Sequence, residues 1–403
     1  MRTVKWNAFL SCLCGFAVAL GGMAASARAD VTTEKGASIL IFPKVRVDST
    51  FDTIIQISNT GNSMAHAHCF YVNASLVSLL TGQACENPSP TCVAQWQETD
   101  FDIWLTRQQP THWLVSTGRS FEGITDLGSD SAGFAPGHVP PVRDFLGELK
   151  CIEVTDSGEP LTGNHLKGEA TIKSLVDTAP APGTFNPNQT AIGDVAKYNA
   201  VGILGKPDAS PSNPLLLDGT NYDACPAKLI LNHFASGAED PVVVGLVDRG
   251  GVLPSGSTSS NFTELTLVPC SEDFENQLPT GVTVQFLVFN EFEQRFSAST
   301  TVACYFNLEI ARIDTQFSAT AVDSSVFGRA VLGTDFAQTE ITPVVQLNGF
   351  TGGLVGVAER IVTVQVAGEF STTVTAARAA YNLHSEGSLI PATGPDKITM
   401  PAL

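Results

Sequence analysis

Positive charge is scarce in this 403-residue chain: 22 Lys and Arg stand against 40 Asp and Glu, for a formal net charge of −18. That balance leaves no basic footprint for nucleic acid, and an anionic membrane surface would repel it. Charged residues make up only 15% of the chain, whereas hydrophobic residues make up 43%. So much apolar material supports packed cores and excludes wholesale disorder. Beyond the first thirty residues there is no long apolar run, so no later segment reads as a membrane-spanning helix. Stretches with a helical apolar period are missing too. The motifs G-x-S-x-G, H-E-x-x-H, G-x-G-x-x-G and the phosphate-binding loop do not occur.

The first thirty residues are an address. Arg2 and Lys5 form a positive leader, an apolar run follows from Ala8 to Ala25, and Ala27-Arg28-Ala29 puts small residues at the cleavage-defining positions. Residues 1–29 therefore read as a secretory signal peptide. The expected destination is the periplasm, the cell surface or the medium.

The remainder reads as strands and turns. Short stretches rich in Val, Ile, Thr and Phe are bounded by Gly, Asn, Asp, Ser or Pro. The spacing predicts strands over Ser38–Val47, Asp52–Ser58, Met64–Asn73, Phe101–Thr106, Leu146–Val154, His165–Val176, Ala227–Phe234, Val242–Val247, Glu264–Val268, Val282–Phe289 and Thr300–Ile310. Residues 177–194 and 205–221 read as long loops.

An internal duplication organises these segments. Ile39–Pro43 resembles Leu265–Pro269, and Thr53–Asn59 resembles Thr283–Asn290. Cys69-Phe70-Tyr71 resembles Cys304-Tyr305-Phe306, and Gly118-Arg119 resembles Gly328-Arg329. Phe145-x-Gly147-x-Leu149 resembles Phe350-x-Gly352-x-Leu354, and Tyr198-Asn199 resembles Tyr381-Asn382. The shared order of the matches is the argument. The expected fold is all-β, with two tandem β-sandwich units of broadly immunoglobulin-like architecture at 31–254 and 255–403. That is a fold-level analogy and carries no function.

The mature chain keeps Cys69, Cys85, Cys92, Cys151, Cys225, Cys270 and Cys304. Export favours disulfides. Cys85–Cys92 closes a short loop containing Pro88 and Pro90. In Val302–Ile310 the apolar residues alternate, which turns Cys304 inward, and by the duplication Cys69 as well. Cys151 shares the inward face of Phe145 and Leu149, so Cys69–Cys151 is the expected inter-sheet bond. Cys225, Cys270 and Cys304 remain for one bond and one unpaired thiol, as Cys225–Cys270 or Cys270–Cys304.

Met64-x-His66-x-His68 is the one constellation that resembles a metal site. On a strand its three side chains share one face, and imidazole with thioether suits copper. The alternative is a row of solvent-facing strand histidines. Acidic groups at Glu98-x-Asp100-x-Asp102, Glu272-Asp273-x-Glu275 and Glu291-x-Glu293 could bind Ca²⁺ or form a glycosidase pair, against the plainer reading of a solvated acidic surface. The expected function is non-catalytic: a structural, adhesive or binding protein at the cell exterior, with a protein or glycan partner or self-assembly. A periplasmic metal- or ligand-binding protein using Met64, His66 and His68 is one alternative. A carbohydrate-active enzyme using Asp100 or Asp102 is another.

Overall fold

The computed structural model describes residues 31–83, 85, 91–119, 137–175, 195–248, 253–278, 280–319, 332–344, 352–367, 372–390 and 394–401. The expected leader at 1–29, the loop at 177–194, Gly328-Arg329 and Phe350 lie outside the described residues.

The chain is all-β. In the first half the strands are β1 (Ile39–Val47), β2 (Phe51–Asn59), β3 (Ala65–Asn73), β4 (Leu76–Ser78), β5 (Cys92–Ala94), β6 (Gln97–Leu105), β7 (Pro110–Leu114), β8 (Phe145–Val154), β9 (Leu166–Ser174), β10 (Val195–Asn199), β11 (Val201–Ile203), β12 (Leu215–Leu217) and β13 (Cys225–Phe234). A helix, α1 (Pro241–Asp248), intervenes. There follow β14 (Thr258–Pro269), β15 (Glu272–Asp273), β16 (Gly281–Asn290), β17 (Arg295–Ala303), β18 (Phe306–Glu309), β19 (Phe336–Pro343), β20 (Leu354–Val366), β21 (Thr372–Asn382), β22 (His384–Leu389) and β23 (Asp396–Thr399). No helix among the described residues is long and apolar enough to cross a membrane.

Strict alternation builds the sheets. Along β16, Val282, Val284, Phe286 and Val288 are buried, while the residues between them turn outward. A five-stranded sheet, β11-β1-β8-β3-β6, shares one core with the four-stranded sheet β10-β9-β2-β7. Phe42, Ile55, Tyr71, Trp113, Leu149 and Ile172 meet there. Trp113 Nε1 donates to the Tyr71 hydroxyl at 2.6 Å, which satisfies both polar tips inside that core. A second pair of sheets, β17-β16-β19-β13-β22 and β18-β14-β20-β21, encloses a second core around Leu267, Phe286 and Ile341.

A third core has no counterpart in the sequence expectations. The small sheet β12-β23-β15 covers the outer face of the first five-stranded sheet. Phe70 of that sheet stacks on Phe274 at 4.0 Å between ring centroids. β1, β3 and β8 are therefore buried on both faces nearly throughout. Gly147 sits where β8 crowds β3; a Cβ there would collide with the Val72 carbonyl oxygen.

Several expectations need correction. Val242–Val247 is helix, not strand. Asp240 Oδ1 accepts from the amides of Val242 and Val243 at 2.9 and 3.1 Å, and Pro241 occupies the first turn. This cap and the preset proline φ outweigh the β preference of three consecutive valines. Val302–Ile310 is not one strand. Cys304 has φ +64, and there the chain leaves β17 for β18 in another sheet.

β13, within the first expected unit, pairs with β19 and β22 of the second. The duplication is only partly reflected in strand order. β1 pairs with β8 as β14 pairs with β20. Yet β3 adds beyond β8, whereas β18 adds to the far side of β14.

Disulfides join Cys69–Cys151, Cys85–Cys92 and Cys225–Cys270, and Cys304 is a buried free thiol. Cys69–Cys151 is not an inter-sheet bond. The two residues stand directly opposite on neighbouring strands of one sheet, 4.0 Å apart at Cα. Burial pushes the Cys304 thiol up to about 12.

Candidate functional site

The histidine row of β3 is not solvent-facing. His66, His68, Phe70 and Val72 share the face covered by the small sheet, and the histidines are 5% and 1% exposed. Met64 lies before the strand and is 53% exposed. His66 Nδ1 faces the Thr155 carbonyl oxygen at 2.9 Å, and Nε2 faces Asp102 Oδ1 at 2.8 Å. The ring stacks on Trp104, its direct cross-strand neighbour, at 4.4 Å. His68 Nε2 lies 3.3 Å from Asp100 Oδ2. Both ring nitrogens of His66 are thus committed to protein oxygens. In this structure neither nitrogen of His66 is free to serve as the copper ligand its spacing suggested. Among the described residues no three His, Cys, Asp or Glu side chains converge as metal ligands.

The acidic groups divide. The first two approach one another. Burial, then the charges of Asp100, Glu272 and Asp273, push the Glu98 carboxyl up to about 7. Glu272 is bound to a buried lysine, and Asp273 accepts from Asn276. In the third group, Glu291 accepts from Thr334.

Two fully buried lysines tie the first five-stranded sheet to the strands that follow α1. The register of β1 shifts between Phe42 and Val45. Pro43 lies in that irregularity, where a missing amide costs no ladder bond. The adjacent Lys44 Nζ reaches Glu264 Oε2 at 2.9 Å and Glu359 Oε2 at 2.6 Å. Arg378 Nη1 completes the group at 2.7 Å from Glu359 Oε1. Burial alone would raise the Glu359 carboxyl, but Lys44 and Arg378 outweigh it and hold it at about 2. Lys150 on β8 binds Glu272, Glu148 Oε1 at 3.1 Å and the Pro269 carbonyl oxygen at 3.2 Å. Here the balance is different. Burial raises Glu148 to about 8 despite Lys150, and Glu148 Oε2 has no hydrogen-bond partner. Both lysines lie fully inside the protein.

An open site lies on the outer face of the β10-β9-β2-β7 sheet. A groove of about 490 Å³ is lined there by polar side chains, a volume within the usual range for small-molecule sites. Register aligns His112, Gln56, Glu169 and Asn199 in one row across four strands. Ser58 and Lys167 form a direct pair in the next row. Glu169 Oε1 accepts from Lys197 at 2.8 Å. At the edge strand, the Asn199 amide donates to Asn382 Oδ1 at 3.2 Å, and Asn382 Nδ2 donates to the Asn199 carbonyl at 2.7 Å. β21 thus pins the backbone at one end of the row.

Sequence reasoning missed this groove. Alternation along Leu166–Ser174 and Asp52–Ser58 already separated outward Lys167, Glu169, Gln56 and Ser58 from the buried residues between them. What aligns them is strand pairing between segments more than a hundred residues apart. No known family model matches the sequence, and no curated protein is similar to it.

Proposed function

We propose that this is a secreted, non-catalytic protein that works at the cell exterior as a structural, adhesive or binding component. Its two sheet pairs are read as β-sandwiches of broadly immunoglobulin-like architecture. One observation carries the proposal: two lysine–carboxylate groups are buried within the fold, whereas polar sheet faces are left open. Lys44 and Lys150 each meet two carboxylates inside the protein. Three disulfides brace the same body. Such a body holds its outer faces in fixed geometry, which favours recognition by keeping the ordering cost of binding low. Disulfides also suit an oxidising compartment.

The test is to express the full chain with its leader in a host that exports proteins, fractionate the cells, and size the product by light scattering without reductant. The expected result is a processed, disulfide-bonded protein outside the cytoplasm. Retention in the cytoplasm with reduced cysteines would overturn the reading. A filamentous product would favour the structural role, and a monomer the binding role.

A further inference from the structure

We propose that β17 is an interaction edge, and that it pairs antiparallel with β17 of a second copy of this chain. The inference concerns a different surface from the groove, and no step of it needs export.

β17 ends the sheet β17-β16-β19-β13-β22 and pairs only with β16. One bond fixes which way its backbone faces. The Thr283 carbonyl of β16 accepts from the Val344 amide, on the β19 side, at 2.8 Å. Thr283 and Thr301 are therefore a pair without ladder bonds between them, and their hydroxyls meet across it at 3.1 Å. Thr301 thus turns its amide and carbonyl to the open edge, and alternation does the same for Arg295, Ser297 and Ser299. Among the described residues no backbone group pairs with these four. Free amides and carbonyls at strand spacing are matched by one kind of partner, another extended strand.

The other sheet edges among the described residues are guarded. β6 carries Glu98, Asp100 and Asp102, and β7 opens on Pro110. β22 carries Glu386 and breaks at Gly387, with φ +69. β10 and β21 carry Lys197 and Arg378 and join each other through Asn199 and Asn382. The remaining edge strands are two to four residues long. β17 has nine residues, no proline, no register shift and no charge after Arg295. It lacks the devices by which proteins keep strand edges apart.

The sequence of β17 also complements itself. Full antiparallel overlap of two copies of Arg295–Ala303 puts the two-fold axis at Ser299. Ser297 then faces Thr301, and Arg295 faces Ala303, so small or uncharged side chains meet on the exposed face. On the core side Ala298 faces Thr300, and Phe296 faces Val302, both of them buried. No like charges stand opposite one another, which matters between copies of a chain of net charge −18. The contact uses the same strand on both copies, so it closes at a dimer.

The experiment is analytical ultracentrifugation of the purified, disulfide-bonded protein over a concentration series. The expected result is a reversible rise from the monomer mass to twice that mass. Ser299→Lys puts like charges across the two-fold and should hold the protein at the monomer mass. Ser299→Glu should do the same. Ser299 is exposed, so both variants should keep the melting temperature of dilute, monomeric wild type. An equal mixture of the two sets lysine opposite glutamate and should restore the doubled mass. Wild type that stays monomeric, or that forms filaments, would overturn the inference. So would a dimer that survives either substitution, or a mixture of folded variants that stays monomeric.

Discussion

Glu264 and Glu359 stand directly opposite one another on β14 and β20, and both carboxyls are held below their ordinary range. Like charges in that position repel across a sheet. Here they are held together by a cation from elsewhere in the chain, Lys44 of β1. The contact between the two halves is therefore also what makes that pair of strands tolerable.

Lys44→Met should destabilise the protein by about 3–5 kcal/mol, the usual cost of stranding buried charge. Adding Glu264→Gln to it should recover part of the loss, because Arg378 still serves Glu359. Urea midpoints of the three proteins check this. A single variant as stable as wild type would show that Lys44 is not a structural tie.

The two lysine groups respond to pH in opposite directions. Glu359 is lowered from 4.5 to about 2, so its contribution is complete above about 4.5 and is lost as pH falls towards 2. Glu148 is raised from 4.5 to about 8, so its contribution is complete below about 4.5 and declines as pH rises towards 8. Stability should peak in mildly acidic solution. Glu148→Gln should flatten the alkaline limb and leave the acid limb in place. Thermal melts across the range decide it, and an unaltered alkaline limb in the variant would remove Glu148 from the explanation.

His66→Ala should cost about 1–3 kcal/mol, because Asp102 and the Thr155 carbonyl lose their buried partner. Metal content, read by elemental mass spectrometry, should be the same in both proteins. A stoichiometric metal present in wild type and absent from the variant would restore the copper reading.

Cys304 should resist thiol reagents in the native protein, since burial raises its thiol to about 12. Unfolding without reductant should expose one thiol per mature chain. Counting two or more, or immediate labelling of the native state, would contradict the disulfide pattern.

The strand pattern was largely legible because alternation is a local property. The inward turn of Cys69 was legible through its likeness to Cys304 in the duplication. Two features were not. The Asp240–Pro241 cap is a two-residue signal beside three valines whose β preference dominates the local pattern. The second face of β3 carries histidines, and nothing in Met64–Asn73 announces that β12, β15 and β23 will cover it. Periodicity says which residues share a face; only the tertiary fold says what lies against that face. The groove was hidden likewise, since its rows run perpendicular to the chain.

The covering sheet draws its three strands from Leu215–Leu217, Glu272–Asp273 and Asp396–Thr399. Asn213 adds a reciprocal bond with Met400, at 2.7 and 3.0 Å. The amino-terminal sheets are thus left with a bare apolar face until the far end of the polypeptide comes back to them. Contacts of such long range form slowly, and exposed apolar surface invites aggregation meanwhile. For an exported chain, as proposed above, the interval between emergence and closure is when it most needs a holding chaperone.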